Sequence, residues 1–284
     1  MKSNANLFLY RPLLIVTKHN KNKVIAPVLE KELGVKCFIP EKFDTDSLGT
    51  FSGEIERKND ALSTLRAKCL QAMKMEGYDL AVATEGSFGN HPTVFFAPAN
   101  DEFIMLIDLK NNLEIVERVL SLDTNFKMAE MDNQNNLNDF LQTVKFPSHG
   151  VIVKDTRSDW KFMEKGIQKK SQIKALFEKF SNTQQSFFIE TDMRANFNPT
   201  RMKVIKQACK KLVTKIKTTC PSCNTPGFGI VRAEAGLKCS LCKMPTRSTS
   251  AHVYQCKKCN FESRKTFPNG KTTEDPMYCD FCNP

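Results

Sequence analysis

The chain has 284 residues, 40% of them hydrophobic, enough for one large or two modest cores, which excludes a disordered reading. No run of 18 apolar residues occurs, and Met1 to Arg11 lacks the pattern of a signal peptide, so no membrane segment is expected and the cytosol is the expected compartment. The net charge of +11 is carried by the C-terminal part: residues 199–284 hold 16 Lys and Arg against 5 Asp and Glu, while residues 1–198 balance at 26 of each.

Short β-type runs alternate with helical patterns over the first two hundred residues, the signature of an α/β domain. Leu13 to Thr17 is expected to be a buried strand. Val24, Ile25, Val28, Leu29 and Leu33 recur at helical spacing, with Gly34 as the stop. Val35 to Pro40 follows as a second strand, and residues 41–59, polar and carrying Gly49 and Gly53, form a loop long enough to imply function. A helix capped by Asp60 runs to Gly77 with Leu62, Leu65, Cys69, Ala72 and Met73 along one face. Leu80 to Thr84 is the third strand. Phe103 to Asp108 and Leu113 to Leu120 flank a turn and predict a hairpin. A short helix follows the Asn-rich residues 131–138. Val151 to Lys154 and Phe187 to Thr191 are further strands around a helix near residues 160–180. Asn198-Pro199 opens a last helix to about Lys217. This gives two expected domains, 1–218 and 219–284.

Eight of the eleven cysteines form four Cys-x-x-Cys pairs: Cys220/Cys223, Cys239/Cys242, Cys256/Cys259 and Cys279/Cys282. In a reducing compartment such pairs are metal ligands rather than disulfides, and two knuckles close one tetrahedral zinc site with bonds of about 2.3 Å. Sequential pairing is expected, with Cys220, Cys223, Cys239 and Cys242 on one ion and Cys256, Cys259, Cys279 and Cys282 on the other; counting also allows a crossed arrangement. Complete four-cysteine sites leave no position for substrate, which makes both zinc ions structural. Each such centre carries −2, so the C-terminal excess of +11 falls to about +7. Cys37, Cys69 and Cys209 are expected to be buried as small hydrophobes.

Between the first strand and helix, Thr17-Lys18-His19-Asn20-Lys21-Asn22-Lys23 places a hydroxyl, an amide and several cations at a helix N-terminus. That is an arrangement for phosphate, with Lys23 one turn in. The plain alternative is a solvated basic turn with Asn20 as N-cap. Glu54 and Glu56 in the loop and Glu85 at the end of the third strand are candidate carboxylates for Mg²⁺, which prefers oxygen ligands and shares them with substrate phosphates. Glu190, Asp192, Arg194, Asn198 and Arg201 are concentrated at a strand-to-helix junction, as a recognition cluster or an internal salt-bridge network.

Strand, Thr17, Asn20 and Lys23, then Gly53-Glu54-Ile55-Glu56-Arg57, Leu65-Arg66-Ala67-Lys68 and Asp79 to Gly86 together resemble the pyrophosphatases that cleanse the pool of inosine and xanthosine triphosphates. The similarity covers about residues 12–90. It implies that Thr17, Asn20, Lys23 and Arg66 serve the phosphates. It further implies that Glu54 or Glu56 and Glu85 hold magnesium, and that the segment with Asp192, Arg194 and Arg201 recognises the base. Residues 91–185 show no such correspondence. Over its whole length, through Glu190 to Arg201 and Lys271 to Pro284, the chain resembles a bacterial family of unknown function with the same N-terminal domain and a double zinc ribbon.

The expectation is therefore a mixed-sheet α/β nucleotide-pyrophosphatase-like domain followed by a double zinc ribbon. The expected activity is Mg²⁺-dependent hydrolysis of a nucleoside triphosphate or related phosphoanhydride. The rival is a non-enzymatic module whose basic ribbons, through Lys257, Lys258, Arg264, Lys265 and Lys271, bind nucleic acid weakly or a protein; a nucleotide sensor is the third reading.

Overall fold

The computed structural model describes residues 7–43, 60–158 and 160–284; the loop with Glu54 and Glu56 lies outside the described residues. The chain forms two units, one of Phe8–Leu212 and one built on Val213–Pro284. The protein is a mixed α/β structure. Among the described residues no helix is long and apolar enough to cross a membrane.

The larger unit begins with β1 (Pro12–Val16), α1 (Asn22–Leu33), β2 (Lys36–Phe38), α2 (Ala61–Glu76), β3 (Leu80–Asn90), β4 (Pro98–Asp108) and β5 (Leu113–Ser121). These strands make a mixed sheet in the order β2-β1-β3-β4-β5. β1 is parallel to β2 and β3, and the rest is antiparallel. The helix ends follow local chemistry. Gly34 and Gly77 adopt φ of 67° and 77°, which glycine reaches without a Cβ penalty, and the Asp60 side chain accepts from the N–H groups of Leu62 and Ser63. At the start of α1 the cap is Lys21, whose side chain makes no capping hydrogen bond, and Asn20 is left-handed at φ 58°.

From β1 the chain steps to one side for β2, then passes back to the other side for β3. Right-handed crossovers place α1 and α2 on opposite faces of such a sheet. Leu65, Cys69, Ala72 and Met73 of α2 cover Leu14, Val16, Ala81, Ala83, Met105 and Ile107. The residues that alternate with these face the other way, where α1 meets the last helix through Cys209 Sγ and the Ile25 carbonyl at 3.9 Å. The strand order reverses between β1 and β3, so their carboxyl ends bound the crevice in which open α/β sheets bind ligands.

The expected third strand stops at Thr84, but β3 runs on to Asn90. β1 ends at Val16, opposite Ala83, and beyond it β3 is held on one side by β4, through continuous pairing as far as Asn90 and Pro98. Glu85 is thus mid-strand, and Gly86 is a strand residue rather than a turn.

β6 (Met128–Met131), β7 (Val151–Lys154), β8 (Met163–Ile167) and β9 (Phe187–Thr191) form a second, antiparallel sheet in the order β6-β9-β7-β8. α3 (Gln134–Thr143) and α4 (Lys170–Asn182) bury Leu137, Phe140, Ile173, Leu176 and Phe180 against Val151, Val153, Phe187 and Ile189. The helix expected near 160–180 starts at Lys170; Met163–Ile167 is a strand whose Met-Glu-Lys-Gly-Ile sequence shows neither period. α5 (Pro199–Lys217) starts where Asn198 Oδ1 accepts from the Arg201 N–H (2.9 Å) and His149 Nε2 accepts from the Thr200 N–H (3.3 Å). In the smaller unit β10 (Gly229–Ala235), β11 (Thr249–Gln255) and β12 (Glu262–Thr266) form an antiparallel meander.

Candidate metal centres and a buried charged cluster

The cysteine pairs meet in a crossed order. Cys220, Cys223, Cys256 and Cys259 form one cluster and Cys239, Cys242, Cys279 and Cys282 the other, with the sulfur atoms of each cluster within 4.8 Å of one another. This corrects the sequential pairing. The reason lies in the meander: successive connections of an antiparallel sheet alternate between its two ends. The first knuckle precedes β10 and the third joins β11 to β12, at the end where Gly229 pairs with Gln255 and Gln255 with Glu262. The second joins β10 to β11 and the fourth follows β12, at the end where Thr249 pairs with Ala235.

Sulfur separations of 3.6 Å (Cys220–Cys259, Cys223–Cys256 and Cys242–Cys279) and 3.8 Å (Cys239–Cys282) match the edge of a tetrahedron, about 3.8 Å for Zn–S bonds near 2.3 Å. Each cluster can hold a structural zinc ion. The Cys223 sulfur and Thr225 Oγ1 are hydrogen-bonded at 3.2 Å, and the side-chain and backbone contacts with Thr225 bring that thiol down to about 6. Cys282 is pushed up to about 12, first by its contact with Cys242 and then by burial. Neighbouring thiols thus hold protons that a metal must displace, which ties affinity to pH. Of the basic residues proposed to contact nucleic acid, Arg264 pairs with Glu234 at 2.7 Å and Lys271 with Glu274 at 3.2 Å.

A second constellation lies in the larger unit, at the carboxyl ends of β1 and β3. Lys21, only 6% exposed, donates from Nζ to Thr84 Oγ1 (2.7 Å) and to the Thr84 carbonyl (3.2 Å), at the point where β3 has lost β1 as a neighbour. Burial, then the nearby Arg201, lowers its ammonium from 10.5 to about 7, against the opposing pull of Glu102 and Glu85. Buried Arg201 donates from Nε to Glu102 Oε2 (3.1 Å), from Nη2 to Glu102 Oε1 (3.3 Å) and from Nη1 to the Met193 carbonyl (2.7 Å). Thr84, Gly86 and Phe88 share one face of β3, opposite Ile104, Glu102 and Asn100 of β4. Gly86 is required there, because a Cβ would stand 2.7 Å from Arg201 Nη2 and closer still to Glu102 Oε2. On the other face Glu85 is paired with Lys68 of α2 at 2.5 Å.

Of the residues expected to serve phosphate, Thr17 is half-buried and its Oγ1 accepts from the His19 N–H, while Asn20 and Lys23 are exposed. The buried lysine is Lys21 instead, because Lys21 is the cap residue that turns toward Thr84. Arg66 is exposed and pairs with Glu114 at 2.6 Å, four positions along the strand pairing from Glu85; the cation beside Glu85 is Lys68. Asp192 is fully buried and bound to Arg194 (2.6 Å) and the Gly166 N–H (3.1 Å), and the Arg194 guanidinium lies over Phe197 at 4.5 Å. Asp192 and Arg194 thus pair with each other, and Arg201 is the member of the segment that pairs with Glu102, near enough to Lys21 to lower its ammonium. Lys21, Lys68 and Glu102 are residues that sequence reasoning passed over. Lys68 carried a signal, since it interrupts the apolar stripe of Leu65, Cys69, Ala72 and Met73.

A family model described as a domain of unknown function (DUF6671) matches residues 68–284. The chain belongs to the DUF6671 family. No curated protein matches it. The matched stretch takes in Lys68, Glu85, Glu102, Arg201 and the eight paired cysteines, and leaves Lys21 outside.

Proposed function

We propose that this DUF6671 protein hydrolyses a nucleoside triphosphate or related phosphoanhydride at the carboxyl ends of β1 and β3, while the two zinc centres hold the C-terminal unit together. The observation that carries this reading is the buried group of Lys21, Lys68 and Arg201 with Glu85 and Glu102 at a topological switch point. Buried charges are expensive unless paired, and a site that keeps five of them at a ligand-binding edge has cations to offer phosphate and carboxylates to offer a hydrated cation. The resemblance of residues 12–90 to the inosine and xanthosine triphosphate pyrophosphatases supports the same class of substrate.

Magnesium fits this donor set only as an ion that arrives with the phosphates. Among the described residues the groups of three or more potential ligands are the two cysteine clusters, and Glu85 and Glu102 stand on opposite faces of the sheet. One or two carboxylates plus phosphate oxygens is the usual magnesium environment, and the ion would neutralise charge on the phosphoryl oxygens. Lys21 and Arg201 would bind and orient the phosphates, and Glu85 would exchange its pairing with Lys68 for contact with the cation or its water.

Turnover of a nucleotide panel with Mg²⁺ tests the reading. Glu85→Gln is expected to abolish hydrolysis and retain binding, because the amide keeps the shape and removes the charge. Lys21→Ala is expected to weaken both. Wild-type turnover in Glu85→Gln, or activity that survives complete removal of Mg²⁺, would overturn it.

A further inference from the structure

Among the described residues, one buried polar side chain in the larger unit has no protein partner. Asn100, on β4, is 1% exposed, and neither its Nδ2 nor its Oδ1 makes a hydrogen bond. Orphaning an amide in this way costs about 1–3 kcal/mol, so buried side-chain amides are almost always satisfied. The position is specific. Asn100 lies two residues before Glu102 on the same face of β4, and its cross-strand partner is Phe88. The partly exposed Phe88 ring has the Arg201 guanidinium over it at 5.3 Å and Phe126 beside it at 5.9 Å.

We infer that Asn100 is a specificity-determining residue, whose amide reads the hydrogen-bonding edge of a nucleobase lying beside Phe88. The inference rests on the phosphate site proposed above and extends it to the substrate's other end. A primary amide presents a donor next to an acceptor, the pattern that pairs in two-pronged fashion with the edge of a base. The aromatic ring beside it supplies a stacking surface. Phe88 lies four residue steps along β3 from Thr84, where Lys21 is anchored, about 13 Å at ~3.3 Å per residue. That is a separation suited to a phosphate chain at one end and a base at the other, with Glu102 and Arg201 between them. The orphaned amide is then a stability cost retained for recognition.

The test compares inorganic tripolyphosphate with purine and pyrimidine nucleoside triphosphates by calorimetry on the full-length protein, in wild type, Asn100→Ala and Asn100→Leu. At least one nucleotide is expected to bind wild type more tightly than tripolyphosphate. Asn100→Ala should lower that affinity by ~10-fold, the effect of about one well-made hydrogen bond, and leave tripolyphosphate within twofold. Asn100→Leu should melt no lower than wild type, because an apolar group of similar shape replaces an unsatisfied one. The inference is overturned if the two ligands lose affinity alike, if no nucleotide outbinds tripolyphosphate, or if Asn100→Leu melts several degrees lower, which would reveal a structural partner. If tripolyphosphate does not bind wild type, the phosphate reading fails by itself. Asn100 is then judged on free nucleosides: binding that Asn100→Ala weakens supports the role, and binding indifferent to it overturns the role.

Discussion

At the scale of single residues, the larger unit is organised around the space left by a missing side chain. Gly86 lets the Arg201–Glu102 pair close against β3. Gly86→Ala is therefore expected to lower stability by ~3 kcal/mol, through overpacking and the opening of a buried ion pair, whereas Gly89→Ala, with nothing within 4 Å of a new Cβ, should change it little. Urea melts of the two variants make the comparison. Lys21 gives a pH signature of its own. Its folded-state value of about 7 lies below the unfolded 10.5, so the folded chain binds fewer protons between those limits and this group's contribution to stability rises with pH across that window. Anion binding has the opposite sign, because it needs the charged form. Tripolyphosphate affinity should fall as pH rises from about 6 to about 8.5, and calorimetry on Lys21→Met should lack that component.

What the sequence makes legible at this scale is the chemistry of pairs, more than the identity of each partner. Arg201 stands out beside Asn198-Pro199, yet its partner Glu102 lies 99 positions away and just ahead of a run that reads as a strand only from Phe103. Lys23 and Arg66 look better placed than Lys21 and Lys68 until the helix phase is known. The phase at the start of α1, set by the left-handed Asn20, exchanges an exposed lysine for a buried one.

At the scale of elements, apolar periodicity and glycine stops locate α1, α2 and β1 closely, because each buries a continuous face. Met128–Met131 and Met163–Ile167 are illegible, because short strands at or near a sheet edge bury too little to show a period. The cysteine pairing is a different case: each of the three segments between knuckles carries a single strand of the meander, so successive knuckles fall at alternate ends. The double variant Cys220→Ser/Cys256→Ser separates the two pairings. With both substitutions in one cluster, elemental analysis should find about one zinc per chain against about two in wild type. Sequential pairing would cripple both sites and leave almost none.

At the scale of the whole molecule, the two clusters span overlapping stretches, residues 220–259 and 239–282, so the loops they close share residues 239–259. An ion in each cluster would fasten segments that the other also encloses. The turn around Phe267 to Gly270, with φ of 52° and 74° at its ends, lies between β12 and the last knuckle. A protease that cut there would sever the backbone and release nothing: the fragment beginning near Lys271 carries Cys279 and Cys282 and remains tied to Cys239 and Cys242 through the metal. Nicked protein should run as one species on a native sizing column and as two pieces once a chelator is added. With both clusters metallated the smaller unit would behave as a buckle, its integrity after a backbone break set by the thiolate–metal bonds.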